Sequence, residues 1–224
     1  SEAKWKRTAG VMLLLHHGYD GQGPEHSSAR PERFLQLCSG GNIVVANCTT
    51  SAQYFHLVRR QGLSGEPRPL IVLTPKSLLR DKRAASDIEA FTDGRFEEVL
   101  EDPKSPKNAK RVLFCSGKVF YDLEEFRETK GIDDVEIVRV EQLYPTPMDH
   151  MLAILRRNPK ATPVWVQEEP RNMGAWTFML QRFLDRDVRL QYAGRPESPS
   201  PATGSYSRHK AEQEHLVQRA FGLV

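Results

Sequence analysis

Short apolar runs alternate with amphipathic stretches along the whole chain. Runs rich in Val, Ile and Leu are typical of central strands covered on both faces, and they predict strands at residues 11–15, 43–46, 70–73, 112–115, 135–140, 164–166 and 188–192. Apolar residues at helical spacing predict helices at residues 31–38, 51–61, 119–129, 148–157, 175–184 and 208–221. This alternation predicts an α/β fold with a mostly parallel sheet and helices on both of its faces.

The charged segment 81–110 interrupts the alternation, and its prolines Pro103 and Pro106 lie among Lys, Asp and Glu residues. Such a composition is typical of a connector. We therefore expect two α/β units, at residues 1–80 and 111–224, joined by a linker at 81–110. The first unit offers few strands, which suggests that a longer polypeptide or a partner subunit continues its fold.

Local patterns predict how two of the helices begin. Ser27 or Ser28 is a candidate cap for the helix at 31–38, in which Pro31 suits the first turn. Ser51 is a candidate cap for the helix at 51–61. On its inward face that helix is expected to carry Tyr54, Phe55, Leu57 and Val58.

The charge balance argues against two classes of partner. The 224 residues hold 32 Lys and Arg against 29 Asp and Glu, and the two signs are interspersed, so we expect neither nucleic acid nor membrane as a partner. The apolar run at 11–15 is too short to span a bilayer. The cysteines Cys38, Cys48 and Cys115 form no CxxC pair and lie in or beside apolar segments, which indicates buried thiols in a reducing compartment.

The densest polar cluster lies at residues 16–30, between the first predicted strand and the following helix. In α/β sheets, the loops that leave the carboxyl ends of strands commonly hold ligands. The glycines of this loop allow a close approach, and His17 and His26 can act as acid, base or anion ligands near neutral pH. From the pattern alone, a structural turn whose polar groups satisfy one another is an equal alternative.

Three other motifs give weaker evidence of a functional site. The Gly-Lys pair at 117–118 lacks the rest of a phosphate-binding loop. His17 and His26 have no further Cys or His at metal-ligand spacing, which argues against a zinc site. Glu168 and Glu169 follow a predicted strand and offer a general acid–base pair, although exposed carboxylates at a strand end are the commoner case.

The polar loop also carries a family resemblance. Its run HGYDGQGPEHSSAR, at 17–30, closely resembles the first component of 2-oxoglutarate dehydrogenase, the thiamine-diphosphate-dependent decarboxylating subunit. The resemblance continues through the ordered motifs YFHLVRRQ at 54–61, RPLIVLTPKSLLR at 68–80, QEEPRNMGAW at 167–176 and SPATG at 200–204. The related 2-oxoadipate enzyme is a close neighbour, toward which the motif at 172–178 leans slightly, whereas Gln22 looks more like the 2-oxoglutarate enzyme.

This resemblance implies that the chain is the C-terminal quarter of such an enzyme. Residues 1–80 would be the end of a transketolase-like pyrimidine-binding domain, and 111–224 a transketolase C-terminal-like domain of three layers. The implied reaction is oxidative decarboxylation of 2-oxoglutarate in the citric acid cycle, with transfer of the succinyl group to lipoamide. The alternatives are the 2-oxoadipate-specific relative and a non-catalytic module for dimerisation or complex docking.

The resemblance also implies roles for individual residues and partners. His26 matches the family's active-site histidine, and His17 and Gln22 would support cofactor binding in the same loop. Thiamine diphosphate and Mg²⁺ would be bound mainly by segments outside this chain, so the isolated fragment is expected to be inactive. The implied partners are a second copy in a homodimer, the dihydrolipoyl succinyltransferase component, dihydrolipoyl dehydrogenase and 2-oxoglutarate. The implied location is a bacterial cytoplasm, or a mitochondrial matrix in a eukaryote.

Overall fold

The computed structural model describes residues 2–20 and 23–224 of the chain. Within these residues the strands are Met12–His16 (β1), Val44–Ala46 (β2), Leu70–Thr74 (β3), Val99–Leu100 (β4), Arg111–Cys115 (β5), Val135–Val140 (β6), Gln142–Tyr144 (β7), Thr162–Pro170 (β8) and Gln191–Arg195 (β9). The helices are Glu2–Trp5 (α1), Pro31–Gln36 (α2), Ser51–Leu63 (α3), Ile88–Thr92 (α4), Val119–Lys130 (α5), Met148–Arg157 (α6), Trp176–Leu184 (α7) and Tyr206–Ala220 (α8). Short 3₁₀ turns lie at Pro24–Ser27, Ser77–Leu79 and Lys82–Ala84.

The strands form two sheets, and both are mostly parallel. The first sheet has the order β1-β3-β2-β7, and the second has the order β4-β6-β5-β8-β9. Only β7 and β4, each at a sheet edge, run antiparallel to their neighbours among the described strands. The prediction of an α/β fold with mostly parallel strands is therefore confirmed.

Strands β7 and β4 lie outside the sequence patterns, whereas the other two edge strands, β1 and β9, lie in or beside predicted runs. Strand β1 was predicted to be covered on both faces, but it is an edge strand with Leu13 and Leu14 exposed. Strand β7 comes late in the chain but completes the first sheet, where Val45 pairs with Tyr144. Strand β4 lies within the segment 81–110 and pairs with β6, with Val99 opposite Val140. The segment predicted as a linker thus contributes a strand to the second sheet.

The second sheet lies between two layers of helices, because side chains alternate along each strand. Val112 and Phe114 face one way and pack with residues of α6 and α7, including Met151 and Phe183. Leu113 and its neighbours on the opposite face pack with α5 and α8. This is the three-layer arrangement that the resemblance implies.

The two sheets share one hydrophobic cluster. Val45, Ile71 and Leu73 of the first sheet belong to the same cluster as Phe114 and Trp165 of the second, and all five are at most 3% exposed. The opposite face of the first sheet packs with α3 in a separate cluster. Because the shared cluster takes side chains from both sheets, the carboxyl ends of β1 and β8 are held close to each other.

The inward face of α3 differs from the prediction. Tyr54 and Phe55 are 36% and 44% exposed, whereas Gln53 and His56 are buried. Gln53 donates to the carbonyl of Glu97, and His56 bonds the carbonyl of Ala90, both outside any long strand or helix. The inner neighbours of α3 therefore present backbone carbonyls, which polar side chains satisfy and aromatic ones do not.

The predicted helix caps are wrong. The cap of α3 is Thr50, whose hydroxyl accepts a hydrogen bond from the amide of Gln53 at 3.3 Å. Helix α2 begins after Arg30, which has no capping side chain and lies in the left-handed region at φ 55°. Ser27 does not cap α2, because its hydroxyl donates to the carbonyl of Gly18 at 3.0 Å instead.

Two strand predictions have shifted bounds that bear on the site. The run at 164–166 is the middle of the longer β8, which extends to Pro170 and includes both Glu168 and Glu169. The strand predicted at 188–192 is found at Gln191–Arg195, because pairing with β8 starts where Val164 meets Gln191. No helix in the described part of the chain has the length and apolar character needed to cross a membrane.

Candidate functional site

The polar loop after β1 closes on itself. The amide of Gly18 donates to the carbonyl of His26 at 2.8 Å, and Ser27 Oγ donates back to the carbonyl of Gly18 at 3.0 Å. The amide of Ala29 donates to the carbonyl of His16 at 3.2 Å. A Cβ at position 18 would lie 2.7 Å from Cβ of Pro75, so glycine suits this close crossing. The backbone beside His17 therefore holds the backbone that carries His26.

His17 lies at the end of β1 and is 5% exposed. Its Nε2 donates to Oε1 of Glu169 at 2.6 Å, across 152 positions of sequence. Its Nδ1 is buried and has no hydrogen-bond partner among the described residues. Burial would raise the pKa of Glu169, but the hydrogen bond and the charge of His17 outweigh it and hold that pKa below its usual range.

His26 has different surroundings from His17. Its ring lies in the 3₁₀ turn after Gly23 and is 30% exposed, with Nε2 3.4 Å from the exposed carboxylate of Glu25. Its Nδ1 is buried and lacks a hydrogen-bond partner in the described part of the chain. The exposed part of the ring can meet a ligand, whereas the unpaired Nδ1 is shielded from solvent. Gln22, the third predicted site residue, lies outside the described residues.

A buried ion pair lies next to this loop. Lys118, just before α5, has its ammonium 2.5 Å from the carboxylate of Glu168, and Gln213 of α8 donates to the same oxygen at 2.9 Å. Asp20 of the loop is 3.9 Å from the same ammonium. Burial raises the pKa of Glu168. Burial lowers the pKa of Lys118, but the carboxylates around it outweigh that effect and raise it.

Tyr19 fixes the loop to the last strand and helix. Its ring is 3% exposed, and the guanidinium of Arg195 lies 4.1 Å from the ring centroid. The ring of His209 stacks on Tyr19 at 6.2 Å and 9°. A cavity of about 290 Å³ opens beside these groups and is also lined by Asp20 and Lys118.

The side chains that hold the loop in place were not predicted from the sequence. Glu168 and Glu169 were expected as exposed carboxylates, but their side chains are only 9% and 18% exposed. They lie in the part of β8 between Val166 and Pro170, where the pairing with β9 shifts register, and each carboxylate is bonded to a largely buried side chain from elsewhere in the chain. No local pattern links His17 to Glu169 or Lys118 to Glu168. The available sign of a role for Glu168 and Glu169 was their position directly after an apolar run.

Comparisons with known proteins match the whole chain. Residues 1–82 match the family model for the transketolase pyrimidine-binding domain, and residues 85–221 match the model for the 2-oxoglutarate dehydrogenase C-terminal region. The 2-oxoglutarate dehydrogenase E1 component of Cupriavidus necator is 48% identical over 230 residues, which cover 100% of this chain and 24% of that protein. The protein of the same name from Brucella anthropi is 49% identical over 240 residues, covering 99% of this chain and 24% of the relative. The chain therefore spans about a quarter of the length of these relatives.

Proposed function

The chain belongs to the family of the 2-oxoglutarate dehydrogenase E1 component, and we propose that it forms the C-terminal part of an enzyme that oxidatively decarboxylates 2-oxoglutarate. The reaction would transfer the succinyl group to lipoamide in the citric acid cycle. The observation that carries this proposal is the likeness to these E1 components, at 48% identity over the full chain. The closed loop that presents His26 at the carboxyl edge of the first sheet supports it.

Membership of a transketolase-like family implies dependence on thiamine diphosphate. The described residues fit one part of such a site. The ring of His26 is partly exposed and could contact a ligand, but Lys118 and Arg195 already face the carboxylates of Glu168 and Glu212. Within residues 2–20 and 23–224, no group of three or more His, Cys, Asp or Glu could hold a metal ion. We therefore propose that the diphosphate and Mg²⁺ are held mainly by segments outside this chain.

When bound, thiamine diphosphate supplies the nucleophilic carbon and the electron sink of the reaction. We propose that His26 contacts the substrate and holds or moves a proton, since an imidazole exchanges protons near neutral pH. His17 would support the loop from beneath, and Gln22 would contact the cofactor. These roles rest on the resemblance of the loop motif and on the exposure of the His26 ring.

The test replaces His26 in the native polypeptide, meaning the full gene product that carries this sequence. His26→Ala is expected to lower the decarboxylation of 2-oxoglutarate by about 100-fold or more, measured with an artificial electron acceptor. His16→Ala is the matched control, because His16 is an exposed histidine at the end of β1, and its activity should match the wild type. Unchanged activity of His26→Ala, with the fold intact by circular dichroism, would exclude His26 from the reaction.

A second candidate function is a non-catalytic module for dimerisation or docking. Its support is the outer edge of the first sheet, where Val11, Leu13 and Leu14 are 49%, 39% and 48% exposed. The mass of the native polypeptide separates the candidates. A mass of about four times 25.5 kDa, the ratio set by the relatives, favours the enzyme, and a separate chain of 25.5 kDa favours the module. Clear turnover by the isolated chain with thiamine diphosphate, Mg²⁺ and 2-oxoglutarate would contradict the division of the site proposed above.

The name of the relatives as E1 components implies a multienzyme complex. We propose a homodimer that works with the succinyltransferase and dihydrolipoyl dehydrogenase components. We propose a bacterial cytoplasm as its location, because the relatives named above come from bacteria. Rates with 2-oxoglutarate and 2-oxoadipate, compared on the same preparation, decide between the two substrates. A higher kcat/KM for 2-oxoadipate would assign the chain to the alternative enzyme.

A further inference from the structure

We propose that Glu169 is a positioning residue that fixes the ring of His17 and, through His17, the backbone of the loop that carries His26. The inference rests on the proposed function for its catalytic consequence. The structural part of the inference stands on contacts alone. Glu169 lies on the second sheet, so it would couple the C-terminal half of the chain to the loop of the first sheet.

Glu169 and His17 are in direct contact through a hydrogen bond. The 2.6 Å hydrogen bond joins a side chain that is 5% exposed to one that is 18% exposed, so water competes little for either group. Glu169 is the one hydrogen-bond partner of the His17 ring found in the described part of the chain. Removing the carboxylate would leave both ring nitrogens buried and unpaired, and this is costly enough to favour movement of the ring.

Strand β8, which carries the Glu169 carboxylate, is held in place by several hydrogen bonds. The carbonyl of Glu169 accepts hydrogen bonds from Tyr192 Oη and from Gln167 Nε2, both at 3.2 Å. Gln167 also donates to the carbonyl of Met173 and accepts from the indole of Trp165, which is 1% exposed. The carboxylate therefore projects from a strand whose position is fixed on several sides, as a positioning group requires.

The hydrogen bonds of Gly18 link the position of His17 to the backbone of His26. The next residue after His17 is Gly18, whose amide donates to the carbonyl of His26 and whose carbonyl accepts from Ser27 Oγ. Ser27 is 2% exposed, so this pairing is shielded from solvent. A shift of His17 would therefore move the backbone of the catalytic candidate directly.

Glu169 also determines which ring nitrogen of His17 carries the hydrogen in the neutral ring. A carboxylate at Nε2 accepts a hydrogen bond, so in the neutral ring the hydrogen stays on Nε2 and Nδ1 remains an acceptor. Glu169 thus selects which nitrogen of His17 can accept from a neighbouring donor. The hydrogen bond from His17 lowers the pKa of Glu169, which favours the ionised carboxylate as the acceptor.

The experiment uses the native polypeptide with Glu169→Ala and Glu169→Gln, and with Glu66→Gln as a matched control. Glu66 is exposed and lies before β3, away from the loop. The first measurement is hydrogen–deuterium exchange of peptides spanning 17–28, without substrate. We expect the Gly18 amide to exchange about tenfold faster or more in Glu169→Ala, and at the wild-type rate in Glu66→Gln. Unchanged exchange at Gly18, or an equal rise in all strands, overturns the proposal.

The second measurement is the kcat for 2-oxoglutarate in single and double variants. Glu169→Ala is expected to lower kcat about 10- to 100-fold, with a smaller loss in Glu169→Gln, which keeps a hydrogen-bonding group. In a His26→Ala background, the same change should alter kcat less than twofold, because the positioned group is already gone. Additive losses overturn the positioning role. If the wild type shows no turnover, the proposed function fails, and the exchange result still decides the structural part of the inference.

Discussion

Replacing Asp102 by Ala removes the carboxylate that faces the buried guanidinium of Arg127. The two side chains are 1% and 5% exposed, and Arg127 donates to Asp102 from Nη1 and from Nη2, the latter at 3.2 Å. The same carboxylate accepts from the amide of Ile137 at 2.8 Å and from the amide of Lys104 at 2.9 Å. Asp102 therefore pins the segment before β5 to both α5 and β6.

The expected loss follows from these contacts. Breaking one side of a buried ion pair costs about 3–5 kcal/mol, because the remaining charge has no partner. The strand amide of Ile137 also loses its acceptor, which costs about 1–3 kcal/mol where water cannot enter. We expect Asp102→Ala to lower the free energy of unfolding by at least about 4 kcal/mol, a large share of the roughly 5–15 kcal/mol typical of folded proteins.

Urea unfolding, followed by the fluorescence of the buried Trp165 and Trp176, measures this loss. Asp102→Asn is the first control, since its amide oxygen still accepts from Ile137 and the loss should be smaller. The double variant Asp102→Ala with Arg127→Met is the second control. It should be more stable than Asp102→Ala alone, because no charge is left unpaired. A loss below about 1 kcal/mol in Asp102→Ala would refute the reasoning.

Three further predictions concern the buried interior. Burial raises the pKa of Glu136, which is 0% exposed, so the native state binds its proton more tightly than the unfolded state and loses stability as pH rises. Glu136→Gln should therefore raise the thermal midpoint by a few degrees at pH 7, and the gain should vanish toward pH 4. Gly117→Ala should lower stability by about 1–3 kcal/mol in urea, because φ is +74° and the added Cβ would lie 2.3 Å from Asn47 Nδ2. Burial raises the pKa of Cys38 to about 11 and leaves Cys115 0% exposed, so iodoacetamide at pH 8 should label Cys38 slowly and Cys115 only after unfolding. Rapid labelling of Cys115 in the native protein would contradict this burial.

The strands that lie inside the sheets could be predicted because both of their faces are buried. The apolar run at 135–140, for example, coincides with Val135–Val140. Strand β7 could not be predicted, since Gln142–Tyr144 is separated from β6 by Glu141 alone and begins with a polar residue. Its pairing with β2 depends on residues almost a hundred positions away, so no local pattern contains it.

The candidate site shows the same limit. Polar density and glycine content identified the loop at 17–30, because both are properties of a short segment. Glu168 is bonded by Arg195 of β9 and Gln213 of α8, and the carbonyl of Glu169 is bonded by Tyr192 of β9, all of which come later in the chain. The partner of His17 therefore emerges only when the two sheets are brought together.

The late position of β7 determines when the first sheet is finished during translation. The ribosome releases β1, β2 and β3 first, but the edge of β2 has no strand beside it until residues 142–144 have emerged. Throughout that interval, the free backbone donors and acceptors of β2 are open to pairing with other nascent chains.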